Sequence, residues 1–88
     1  MAMSREGFLD RLKSAKAVNC TYQSGEFCGL ISVWFHDRAF VLTWEECKAG
    51  DQYNEQSYTR DENHRFQTAE EVLAFVEAAG YPASAFTP

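Results

Sequence analysis

Between Val18 and Trp44 the large apolar side chains fall mostly on every second residue, and two short polar breaks divide the run into three segments. Such alternation belongs to strands with one face buried, because successive side chains on a strand point to opposite faces. In the first segment Val18, Cys20 and Tyr22 alternate with Asn19, Thr21 and Gln23. The second, from Glu26 to Phe35, carries Phe27, Ile31, Val33 and Phe35 on one side. The third, from Ala39 to Glu45, carries Phe40, Leu42 and Trp44.

The breaks set the pairing. A two-residue Ser24-Gly25 turn pairs Tyr22 with Phe27, Cys20 with Gly29 and Val18 with Ile31. A three-residue turn, Gln23-Ser24-Gly25, opposes Cys20 to Cys28 and sends half of the large groups to the other face, because a slip of one residue inverts every side chain. The two-residue turn unites them, and it leaves Cys20 and Cys28 on opposite faces, too badly aimed to bridge. Across His36-Asp37-Arg38-Ala39, Phe35 pairs with Phe40, Val33 with Leu42 and Ile31 with Trp44. Both hairpins then put Val18, Cys20, Tyr22, Phe27, Ile31, Val33, Phe35, Phe40, Leu42 and Trp44 on one core face. Each such group contributes about 1.5–3 kcal/mol when fully buried.

Helices flank the strands. Phe8, Leu9, Leu12 and Ala15 form an apolar stripe over residues 5–16, with Ser4 placed to cap it. Thr68 with Glu71 three residues later is a capping box opening a helix over 69–79, which Gly80 is placed to end. A fourth strand over Tyr53–Arg60 is expected, followed by a turn at Asp61-Glu62-Asn63 and a short His64-Arg65-Phe66 segment. The tail from Tyr81 is expected to lie back on the surface. The fold class is therefore α+β: helix, antiparallel meander of three to four strands, helix, in two layers with both helices on one face of the sheet. At 88 residues the chain is one domain, 1–88, too short for two cores.

The order of elements is similar to that of double-stranded-RNA-binding domains. Those domains present lysine clusters to phosphate at a helix N-terminus, whereas here the second helix opens with Glu70 and Glu71. The net charge is −5, and all of it lies in residues 49–88. No nucleic-acid partner is expected. No apolar run reaches the roughly 20 residues of a membrane span, and no signal peptide is evident at the start, so no membrane partner is expected. The 3 cysteines, an odd number without a CxxC pair, fit reduced thiols and a cytoplasmic location. No Gly-rich phosphate loop, GxSxG or HExxH occurs, and His36, His64 and the cysteines match no metal spacing. No cofactor, metal or catalytic residue is assigned, and the chain is read as a non-enzyme.

A surface remains. The second sheet face carries Cys28, Leu30, Ser32 and Trp34 beside Val41, Thr43 and Glu45, with Cys28 opposite Cys47 if the third strand extends that far. Both helical stripes are needed to cover the core face, so this outer face is read as at least partly open, unless a fourth strand or the tail (Tyr81, Phe86) folds over it. The functional expectation is a small acidic binding protein, an interaction, inhibitor or regulatory module. It docks a protein partner, or a second copy in a homodimer, through Leu30, Trp34, Val41 and Thr43. The alternative is a small thiol- or metal-dependent enzyme using Cys28, Cys47 and a histidine.

Overall fold

In the computed structural model, which describes residues 2–50 and 58–88, Ser4 opens helix α1 (Arg5–Lys13) by accepting the Gly7 amide on its side chain at 3.0 Å. Strands β1 (Val18–Ser24), β2 (Phe27–His36), β3 (Ala39–Lys48) and β4 (Arg60–Phe66) follow, then helix α2 (Ala69–Ala78) and one 3-10 turn at Ala83–Ala85. The four strands form one antiparallel sheet in the order β1-β2-β3-β4. Phe8 and Leu12 of α1 and Val72, Leu73 and Val76 of α2 are buried with Val18, Ile31, Val33, Leu42 and Trp44 in a single core. Both helices therefore sit on one face, and the expected α+β meander is the fold.

The helix ends follow local rules. Thr68 accepts the Glu71 amide and donates to the Glu71 carboxylate, each at 3.1 Å. Gly80 takes φ +96°, and the Gly80 and Tyr81 amides close on the Glu77 and Val76 carbonyls, a Schellman ending. The same ending stops α1 at Lys13 rather than at residue 16. Lys16 donates to Arg11 and Ala15 to Leu12 at 2.9 and 3.0 Å, which places Ala15 at φ +59°. Ala15 thus leaves the apolar stripe to make the reversal into β1. An L-residue in that conformation is strained where glycine is not, so Ala15→Gly is expected to raise the unfolding free energy by about 0.5–1 kcal/mol, read in urea titration.

The first hairpin corrects the expected register. Its two-residue turn is Gly25-Glu26, not Ser24-Gly25, and it pairs Ser24 with Phe27, Tyr22 with Gly29, Cys20 with Ile31 and Val18 with Val33. Gly25, at φ +61°, holds the first central position, which a type II′ turn reserves for glycine. The shift is two residues, so every side chain keeps its face. The second hairpin pairs Phe35 with Phe40, Val33 with Leu42 and Ile31 with Trp44 as expected.

Two further corrections have one physical source. Phe27 and Phe35 lie on the helix-bearing face yet are 36% and 43% exposed. Helices of nine and ten residues span only about 14–15 Å, and they cover the middle of strands that reach roughly 33 Å. The fourth strand is Arg60–Phe66, so Asp61, Glu62 and Asn63 are mid-strand and not a turn. The earlier part of the strand expected from Tyr53 falls at 53–57, outside the described residues. The tail goes inward: Phe86 is buried against Phe8 with ring centroids 5.2 Å apart, and Thr87 exchanges two hydrogen bonds with Asn19 on the edge of β1.

Candidate functional site

The registers lay out both faces in rows across the sheet. On the outer face one row is Trp34, Val41, Arg65; the next is Asn19, Ser32, Thr43, Asn63; the third is Thr21, Leu30, Glu45, Asp61; the fourth contains Gln23, Cys28 and Cys47. Consecutive rows are about 7 Å apart along the strands. Tyr81 and Phe86, the tail groups able to cover this face, pack instead on the inner one. Both helices pack there too.

The four residues expected to form the docking surface are all on this face, but they are not equivalent. Trp34 and Leu30 are 36% and 37% exposed. Thr43 is half-buried, and beside it Ser32 completes a row of small polar side chains between the two apolar ones. Val41 is 4% exposed, because it stands directly between two long neighbours, Trp34 and Arg65. It forms the floor of the face, beneath the two side chains that flank it. Asp61, Asn63 and Arg65 also belong to the face and are exposed; the strand expected at Tyr53–Arg60 leaves all three out. The signal that finds them is the period of two in Arg60, Glu62, His64, Phe66 against Asp61, Asn63, Arg65.

The inner face has a polar-aromatic knot beyond the helices. Gly29 stands between Tyr22 and Glu46 in one row, and the Tyr22 ring lies where a Gly29 side chain would be. That lets the Tyr22 hydroxyl cross a strand, accepting from Trp44 Nε1 at 2.8 Å and donating to Glu46 Oε1 at 2.7 Å. Burial, and then the bond to Glu46, push the Tyr22 hydroxyl far above its ordinary value. The same bond, with a second from Thr59 Oγ1 at 2.7 Å, holds the Glu46 carboxyl below its ordinary value. Tyr81 packs on the Tyr22 ring at 4.7 Å, and the Arg60 guanidinium covers the Trp44 ring at 3.8 Å. These bonds tie β1, β2 and β3 together at this end of the sheet.

The thiols and histidines separate. Cys28 and Cys47 are direct partners on the outer face. His64 is on the inner face, bonded to Glu62 at 2.8 Å and against Phe75. His36 ends β2 eight residues from Cys28, roughly 27 Å along an extended strand. A thiol and a histidine base are therefore not assembled. Among the described residues no group of three or more His, Cys, Asp or Glu is arranged to hold a metal ion, and no helix is long and apolar enough to cross a membrane. Compared with known protein families, curated proteins and solved structures, the chain matches none. What the geometry defines is an α+β domain with one helix-covered sheet face and one presenting an aromatic-and-charged surface.

Proposed function

We propose that this chain is a non-enzymatic binding module that docks a protein through the outer face of its sheet, and that the partner the face fits best is a second copy of itself. The observation that carries this reading is the order of the rows. Trp34 and Arg65 lie on one side of the Ser32–Thr43–Asn63 row, and Leu30 and Asp61 on the other. A two-fold axis running across the strands over that central row lays two outer faces together and reverses strand direction. It leaves β2 facing β2 and β4 facing β4. Trp34 of one copy then meets Leu30 of the other, and Arg65 meets Asp61, each pair occurring twice as an isologous interface requires. The hydroxyl and amide row meets itself, where hydrogen bonds form in either direction.

Charge swapping tests this directly. The chain is expected to gain mass toward a dimer as concentration rises in sedimentation equilibrium. Asp61→Arg or Arg65→Asp alone places like charges opposite each other and returns it to monomer. The Asp61→Arg/Arg65→Asp double variant restores the dimer. Trp34→Ala is expected to weaken association by about 2 kcal/mol, roughly thirtyfold, while lowering the unfolding free energy by only about 1 kcal/mol, the cost of uncovering Val41. A mass that stays monomeric at every concentration sinks the self-association, and a Trp34→Ala chain that unfolds makes Trp34 a core group.

A further inference from the structure

Cys28 and Cys47 face each other across β2 and β3 at one end of the outer face. Cys47 is buried and Cys28 half-buried, and both line a groove of about 570 Å³ together with Gln23, Leu30, Glu45 and Tyr58. None of the three cysteines is in a disulfide. The Ala49 amide donates to the Glu26 carbonyl at 2.7 Å, so positions 26 and 49 are a hydrogen-bonded pair. Such pairs alternate along an antiparallel ladder, which makes 28 and 47 one as well. Their Cα atoms then stand about 5.5 Å apart, within the window a disulfide spans. Their Cβ atoms belong at the wide end of the cross-strand range, about 5.5 Å, against about 3.8 Å in a relaxed disulfide. A bond there forms only by drawing the strands together, and strained disulfides are the ones readily reduced again.

We propose that Cys28 and Cys47 are a dithiol modification site, closed by small-molecule disulfides into a labile cross-strand disulfide. Cys28, the more exposed, attacks as thiolate on one sulfur of the small disulfide. That S–S bond breaks, a mixed disulfide forms on Cys28, and one small thiolate leaves and takes a proton. Cys47, giving up its own proton, attacks the Cys28 sulfur, and the second small thiol departs. The protein loses two hydrogens and two electrons; the small disulfide is reduced to two thiols.

The surroundings decide which thiols and which oxidants take part. Cys20 is on the other face, buried in the core beside Ile31, where burial pushes its thiol up. Glu45 and Asp61 occupy the adjoining row, so a cationic disulfide reaches the groove more readily than an anionic one. The site stands independently of the docking reading.

The experiment is intact-mass analysis of the full chain treated with excess cystamine, then alkylated. The expected product is a monomer two hydrogens lighter, with one alkylatable thiol left and tryptic segment 39–48 joined to segment 17–38. Dithiothreitol restores three thiols. Cys47→Ser is expected to stop at a stable cysteamine adduct on Cys28, and Cys28→Ser to keep both of its thiols. Oxidised glutathione is expected to act more slowly than cystamine at low salt, with the gap narrowing as salt rises. A persistent adduct on the wild-type chain, a linkage through Cys20, a disulfide between two chains, or an unreacted wild-type chain each overturns the proposal.

Discussion

Gly29→Ala lowers the unfolding free energy by about 3 kcal/mol, a large loss for a change that adds one methyl group on a strand. A Cβ at that position comes within 2.0 Å of the Tyr22 ring. The ring has no room to retreat, because Tyr81 packs on it and its hydroxyl is tied to Trp44 and Glu46. Displacing it strands the buried Trp44 N–H without its acceptor. The decisive measurement is the double-variant cycle. Tyr22→Ala is itself costly, but Gly29→Ala made in that background is expected to cost nothing, since the new methyl enters the space the ring has left. A coupling energy of about 3 kcal/mol follows. Strictly additive urea midpoints defeat the account.

Phe86→Ala is the second large effect, about 3–5 kcal/mol, against a total stability of roughly 4–13 kcal/mol for a chain of this length. Phe86 is 1% exposed and meets Phe8 edge to face at 5.2 Å, closing the space between the helices and the sheet. Without it, the hydrogen bonds exchanged between Thr87 and Asn19 have no buried anchor to hold the tail in line. Phe35→Ala is the matched control. Phe35 is 43% exposed, and its loss is expected to cost under about 1 kcal/mol. Equal thermal midpoints for the two variants place Phe86 outside the core.

Neither result is readable from the amino-acid order. Nothing near residue 86 distinguishes a tail that inserts from one that lies on the surface: Pro82, Ser84 and Pro88 read as loop. The Phe86 position is set by a gap that exists only once α1, α2 and the sheet have met. The candidate docking face was partly legible. Leu30, Trp34 and Thr43 followed from alternation along β2 and β3, while Arg65 and Asp61 were hidden because β4 carries almost no apolar residues. Val41 shows a second limit, since alternation gives a residue's face but not the length of the neighbours that cover it.

The sequence by itself determined which way each side chain of β1, β2 and β3 points, where Thr68 opens α2, and where Gly80 closes it. These are local matters: a strand repeats every two residues, and a cap is decided by the few residues that make it. Only the tertiary structure decided that Gly25-Glu26 is the turn, that Tyr22 crosses Gly29, that Ala15 takes a left-handed turn, and that β4 begins at Arg60. A register slip of two residues leaves every face unchanged, so the alternating pattern cannot choose among such registers. The choice falls to contacts between residues far apart in the chain, here the Tyr22 hydroxyl reaching Trp44 and Glu46 across a strand that carries no side chain at that point.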